Sequence, residues 1–257
     1  MLITSSGRFN QENISVIKDI ARRYNLDYIE RKKQSISHLM ERYNDDILVV
    51  GNDLSIHLKD EKEVIKYHPN IAMVRAKRVI NQQSDAFLEA CQLKASMSFL
   101  DCTAGLGADS LIASIVLGSS GTITALENNF KLHLLLQEGL QNYQSHNDNI
   151  NEAMRRIKVV HADHTAYLKK LEDNSIDVVY FDPMFTMELE ESSGIRPIKS
   201  IVSSGLSDEA VIEAKRVARK KVVLKDDFRS QRFSYFGFRQ IIRKSSKFHF
   251  GVIDIDL

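Results

Sequence analysis

From residue 96 onward, short apolar runs alternate with longer stretches of helical periodicity, and this alternation restricts the fold more than any other feature of the chain. Runs with strand character occupy 98–101, 121–127, 157–161, 176–182, 221–225 and 248–255. Between them, 109–116, 130–143, 164–171 and 208–218 repeat apolar residues at helical spacing. Strands joined through helices pair in parallel, because the crossover returns the chain to the same end of the sheet. The pattern predicts an α/β fold, with a mostly parallel sheet and helices on both faces. No helical stretch separates 238–243 from 248–255, so these segments predict an antiparallel C-terminal hairpin closing the sheet edge.

The first 67 residues follow a different rhythm and predict a small α/β subdomain. A strand is expected at 1–4, helices at 13–24 and 36–43, and a hairpin from 47–51 and 54–58 around Asn52-Asp53. Pro69 disfavours helix at His68, so a helical connector is expected over 68–95, carrying Arg75, Lys77 and Arg78. The sheet domain then spans 96–257.

Composition removes several classes. A hydrophobic fraction of 43% supports a core, and a net charge of +1 confines any nucleic-acid surface to a local patch. Two cysteines, Cys91 and Cys102, make neither a disulfide framework nor a metal cluster, which points to a reducing cytoplasm. No apolar stretch reaches the roughly 20 residues of a membrane span, and residues 1–8 lack a signal-peptide pattern. His161 and His164 flank Asp163, but no further ligand has recognisable spacing, so no metal is expected.

Two motifs sit where strands end. Asp101-Cys-Thr-Ala-Gly105-Leu-Gly107-Ala108-Asp109 follows the first strand of the block. Its glycines let the backbone turn tightly and approach a ligand, and the next helix points its N-terminal amides at the crevice. Glu127 ends the following strand, 20 residues after Gly107, a spacing suited to a carboxylate accepting from ribose hydroxyls. Ser110 stands where a dinucleotide loop has its third glycine, and Asp101 and Asp109 would repel a pyrophosphate. The same acids would attract the ammonium and sulfonium of S-adenosyl-L-methionine (SAM). Asp163 ends the third strand, where it is placed to receive an adenine amino group, to cap the next helix, or to do both. A nucleotide-binding oxidoreductase or a non-catalytic binding module is the rival of another class, separable by response to NAD.

The second motif, Asp182-Pro183-Met184-Phe185, follows the fourth strand and is similar to the Asp/Asn-Pro-Pro-Tyr/Phe signature of amino-methyltransferases. A conjugated exocyclic amine is a weak nucleophile. Hydrogen bonds from it to the Asp182 carboxylate and the Pro183 carbonyl would favour charge developing on nitrogen, and Phe185 would stack on the base.

Taken together, Asp101-x-Thr-Ala-Gly-Leu-Gly-x-Asp109, Glu127 and Asp182-Pro-Met-Phe185 resemble the RsmJ-like family of SAM-dependent 16S rRNA guanine-N2 methyltransferases, over about residues 96–225. The resemblance implies a Rossmann-like class I SAM methyltransferase sheet, SAM as cofactor, and 16S rRNA or the small ribosomal subunit as partner. By motif it places Ala108, Asp109, Glu127, Asn128, Asp163, His164 and Asp182 on SAM. Ala108 stands where that family usually has arginine, and Thr186 where proline usually follows the phenylalanine. An amine on another RNA, on DNA or on protein is the alternative substrate.

The candidate RNA contacts are basic. Residues 213–247 carry 12 Lys/Arg against three acids, with Phe228, Phe233, Tyr235, Phe236 and Phe238 interleaved. Lys225 and Arg229 belong to this stretch. Arg75 and Arg78 form a second basic site, and Arg196 and Lys199 lie in a loop long enough to cover a bound base.

Overall fold

The computed structural model describes residues 1–7, 14–51, 53–60, 63–183 and 205–255, in two compact units that divide between His68 and Pro69. Phe185, Arg196 and Lys199 lie outside the described residues.

The first unit runs β1 (Leu2–Ser5), α1 (Ile14–Arg23), β2 (Asp27–Tyr28), α2 (Ile36–Tyr43), β3 (Ile47–Val50), β4 (Leu54–His57) and β5 (Val64–Lys66). Its sheet order is β2-β1-β3-β4-β5. The first three neighbours are parallel, and β3, β4 and β5 form an antiparallel meander. Helix α1 buries Ile17, Ile20 and Ala21, the stripe its periodicity requires. Ser35 starts α2 by accepting from the His38 amide, and Asn44 stops it in the left-handed conformation. Leu39 of α2 then packs on Ile47 and Val49. Strands β2 and β5 are too short to leave a period-two signal in the sequence.

The second unit begins with α3 (Asn70–Ile80) and α4 (Ala86–Cys91). The alternating block follows as β6 (Ser98–Asp101), α5 (Ala108–Leu117), β7 (Thr122–Glu127), α6 (Phe130–Asn142), α7 (Asp148–Arg156), β8 (Lys158–His161), α8 (His164–Leu168) and β9 (Ile176–Phe181). Then come α9 (Asp208–Val217), β10 (Ala218–Asp227), α10 (Arg232–Phe236), β11 (Arg239–Ile241) and β12 (Phe248–Asp254). The expected connector helices belong to this unit, with α3 packed on α5.

The sheet order is β11-β12-β10-β9-β6-β7-β8. Strands β10, β9, β6, β7 and β8 run parallel, and β12 runs antiparallel to both its neighbours. This is the mostly parallel sheet that the sequence predicts, with the expected antiparallel C-terminal hairpin at its edge. The hairpin inserts its second strand inward, so β12 pairs with β10 from Lys221↔Asp254 to Asp227↔Phe248.

Alternation along each strand feeds two cores. Leu100, Val179, Phe181, Val222 and Leu224 share one face with Leu168 of α8, Ala210, Val211 and Ala214 of α9 and Phe233 of α10. On the other face Phe87 of α4 meets Phe99 edge-on at 5.7 Å and Tyr180 at 5.0 Å. Such aromatic pairs add about 0.5–1.5 kcal/mol beyond the area they bury.

The chain moves from β6 outward to β7 and β8, then returns to β9 on the opposite side of β6. That reversal opens a crevice beyond the carboxyl ends of β6 and β9, the usual ligand position in an open α/β sheet. Asp101 ends β6, and Asp182 follows β9.

Candidate active site

The loop after β6 is built from inside the sheet. The Cys102 amide donates to the Tyr180 carbonyl at 2.9 Å and the Ala104 amide to the Leu126 carbonyl at 2.9 Å, tying the loop to both neighbouring strands. Gly105 and Gly107 have φ of 54° and 76°, in the left-handed region that favours glycine. A Cβ on Gly107 would stand 2.6 Å from Leu136 Cδ1, whereas one on Gly105 would meet nothing within 4 Å. Gly107 serves helix packing, and Gly105 leaves the loop's outer surface open to a ligand.

Glu127 fixes that loop. Its carboxylate accepts from the Gly105 amide at 3.0 Å and the Asn129 amide at 2.7 Å. Burial raises its pKa, against backbone hydrogen bonds that favour the charged form. Two amides leave this carboxylate further acceptor capacity. Asn128 is exposed, and its carbonyl lies 3.0 Å from His161 Nε2.

Asp101 is buried, accepting from Ser110 Oγ at 2.6 Å and the Thr103 amide at 3.1 Å. Burial pushes its pKa up to about 7, helped by the negative charges of Asp109 and Asp182.

Asp109 is the hub of a buried ionic network. Arg75 Nη1 reaches it at 2.5 Å, the Tyr180 hydroxyl donates to it at 2.7 Å, and Lys225 Nζ stands 3.3 Å away. Burial works against its charge, but Lys225, Arg75 and the Tyr180 hydrogen bond outweigh burial and hold its carboxyl well below the usual range. Arg75 also pairs with Asp85 at 2.8 Å, the residue that caps α4.

Asp182 completes the chain of charges. Its carboxylate accepts from Lys225 Nζ at 2.6 Å, and its backbone amide donates to Thr103 Oγ1 at 2.6 Å. Burial raises its pKa, with Asp109 adding to the effect and Lys225 opposing it. Lys225 is held protonated, since the two carboxylates overcome the cost of burying its charge. Pro183 is buried directly behind Asp182.

Several sequence expectations change place. Arg75 and Lys225, expected to face RNA, turn inward onto carboxylates, because Asp85, Asp109 and Asp182 neutralise them there. Asp109, expected on SAM, accepts from Arg75, Tyr180 and Lys225 within the protein. Asp163 caps α8, accepting from the Ala166 amide at 2.9 Å. His164 is buried edge-on to Phe181 at 5.6 Å, and burial lowers its pKa. Arg78 is exposed and bonded to Gln83 at 3.2 Å, and Arg229 pairs with Asp227 at 2.9 Å. Thr103, Tyr180 and Asp85 were not foreseen as site residues. The Asp-x-Thr spacing carried a local signal for Thr103, but nothing in sequence connects Asp85 or Tyr180 with Asp109.

These residues fit SAM. The glycine loop is open outward at Gly105, and Glu127 underlies it. Asp85, Asp109 and Asp182 outnumber Arg75 and Lys225 by one charge, and Asp101, with a pKa of about 7, adds part of another, a balance that favours a ligand bearing sulfonium and ammonium groups.

Fold and site together define a SAM-dependent methyltransferase. The chain belongs to the family described as "Putative SAM-dependent methyltransferase", which matches residues 22–236. It is 41% identical over 254 residues to the uncharacterized protein YpiP of Bacillus subtilis, covering 98% of each chain. It is 31% identical over 157 residues to ribosomal RNA small subunit methyltransferase J of Acinetobacter baumannii, covering 55% of each chain. The crystal structure of a SAM-dependent methyltransferase from Neisseria gonorrhoeae shares the fold, with a TM-score of 0.65 at 18% identity over 99% of this chain and 96% of that one.

Proposed function

We propose that the protein transfers a methyl group from SAM to the exocyclic N2 amine of a guanine in small-subunit rRNA. The observation that carries this reading is Asp182-Pro183 at the carboxyl end of β9, its carboxylate steadied by Lys225 and its amide by Thr103. The relation to the Acinetobacter rRNA methyltransferase supports the substrate class.

SAM supplies an electrophilic methyl on sulfur. The protein's part is to hold and polarise the nitrogen. The ionised Asp182 and the Pro183 carbonyl accept the two amine protons, which turns the lone pair out of conjugation and stabilises positive charge developing on nitrogen. Pro183 fixes its own φ and so steadies the turn. Lys225 opposes the burial that raises the Asp182 pKa and so favours its ionised form. Phe185 is assigned to stack on the guanine, and positioning supplies much of the rate. The proton leaves to Asp182 or water after transfer.

Nucleoside mass spectrometry of small-subunit rRNA from cells with and without the gene tests this reading. Loss of one N2-methylguanosine, restored by wild type and not by Asp182→Ala, is the expected result. An unchanged rRNA profile refutes the substrate and redirects the search to amines on other RNA, DNA or protein.

A further inference from the structure

The first unit carries a polar groove that the methyl-transfer site does not use. Its volume is about 420 Å³, and its walls include Ser6, Gly7, Ser55, His57 and Lys66. The groove follows from the sheet order. The β3–β4 register sets Val49 beside Ser55, the β4–β5 register sets Ser55 beside Lys66, and His57 lies opposite Val64 in the next row. All five therefore share one sheet face. Helix α2 covers that face at Ile47 and Val49, and beyond it the groove is lined by buried Ser55, half-buried His57 and exposed Lys66.

One end of the groove is formed by Ser6 and Gly7, just beyond the carboxyl end of β1. Strands β1 and β3 are parallel neighbours here, and the chain leaves β1 toward β2 and then crosses back to β3. This is the topological switch point of the small sheet, where open α/β sheets place ligands.

The charge at this groove is cationic. Arg31 Nη1 lies 3.4 Å from the position a Cβ would take on Gly7, so its guanidinium closes over the groove's end. Arg31 Nε is held by the Gln34 carbonyl at 2.9 Å, which fixes the side chain's direction. Lys66 is exposed. Burial, and after it the charges of Lys66 and Arg31, hold His57 toward its neutral form. Asp53 is the carboxylate among the lining residues. Two serine hydroxyls and a half-buried imidazole add donors of the kind that bind phosphate oxygens.

We propose that this groove docks a backbone phosphodiester of the RNA substrate, with Lys66 and Arg31 as the cations and Ser6, Ser55 and His57 as hydrogen-bonding groups. The proposal rests on the RNA reading above and deepens it: the small unit is an RNA-holding module, and its contacts are independent of base identity.

The test uses the full-length protein and a labelled single-stranded oligoribonucleotide copied from small-subunit rRNA. Binding is measured against salt concentration for wild type, Lys66→Met, Arg31→Met and the control Lys18→Met, whose side chain is exposed on α1. Each groove variant is expected to flatten the log–log salt slope by about 0.7, to raise KM for RNA, and to leave kcat and SAM affinity unchanged. The control keeps the wild-type slope. Lys66 is exposed, so its variant tests the proposal even where Arg31→Met loses thermal stability. Wild-type slopes in both groove variants, with RNA still bound and methylated, overturn the proposal alone. Failure of wild type to bind the oligoribonucleotide overturns both readings. Flattened slopes without rRNA methylation refute the methylation target and leave the docking site standing. A response of the His57 resonances to inorganic phosphate, with no change in RNA slope, identifies a free-anion site and overturns the proposal.

Discussion

Replacing Lys225 by methionine should separate the stability of the site from its chemistry. The ammonium touches Asp182 at 2.6 Å and Asp109 at 3.3 Å, and only 18% of the side chain is exposed. Without it, Asp109 keeps Arg75 and Tyr180, so its charge stays compensated. Among the described residues, Asp182 then keeps its backbone amide bond to Thr103 but no side-chain partner for its carboxylate, so the loss falls on that carboxylate. Removing one partner of a buried ion pair costs about 3–5 kcal/mol. Asp182 is 27% exposed and regains some hydration, so the lower end, about 3 kcal/mol, applies. In a chain of this size that lowers Tm by roughly 6–12 °C. Catalysis should suffer separately: Lys225 holds the Asp182 pKa down, so the acid limb of the kcat/KM profile should move to higher pH. At neutral pH turnover should drop about a hundredfold, the size expected when the amine-holding carboxylate loses its aim. The assay is methyl transfer to rRNA across pH, with SAM affinity measured alongside. Arg239→Met, which breaks an exposed pair with Asp254, is the control and should cost less than about 1 kcal/mol. An unchanged acid limb in Lys225→Met would refute the role assigned to the lysine, whatever the change in Tm.

Glu127→Ala should weaken SAM binding by at least about tenfold and loosen the Gly105 loop, with Glu127→Gln recovering part of the loss; calorimetry showing equal SAM affinity in all three proteins would contradict its placement under the loop. Gly107→Ala should cost about 1–3 kcal/mol, because alanine must adopt φ near 76° and displace Leu136; a denaturant midpoint equal to wild type counts against that geometry. The Asp101 pKa of about 7 lies above its unfolded value near 3.9. The native state therefore binds more protons between those values, and this residue's contribution to stability is full below about pH 4 and lost as pH rises through about 7. Asp101→Asn should remove that slope and be the more stable protein at pH 8; parallel stability–pH curves for the two proteins would show that Asp101 is not held neutral.

The sequence displayed those parts of the architecture whose signal is local. The apolar runs at 98–101 and 176–182 and the periodicity of 36–43 and 130–143 each correspond to an observed element. Helix α7 escaped because its nine residues bury only Ile150, Ala153 and Met154 among polar neighbours, too few to mark a period. The inward placement of β12 was also invisible, since a hairpin's sequence does not say which strand meets the rest of the sheet. At the site, the glycine loop, Glu127 and Asp182 were legible because each sits at a strand end. The inward turn of Arg75 and Lys225 was not. A basic residue reads as a surface charge until carboxylates from other parts of the chain converge on it, as Asp85 and Asp109 do on Arg75 and Asp109 and Asp182 on Lys225.

The inserted β12 also sets a timetable. It follows every other strand in the chain, yet it pairs with β10 along seven residues, including Lys225 opposite Phe250. Until it docks, β10 presents a bare edge, and the strand that carries the lysine is held from one side only, by β9. A polypeptide emerging from the ribosome would have its glycine loop and Asp182 before it had a finished sheet around Lys225. The sheet around Lys225 is therefore completed only when β12 docks, and the lysine that steadies Asp182 sits on the strand enclosed by that step.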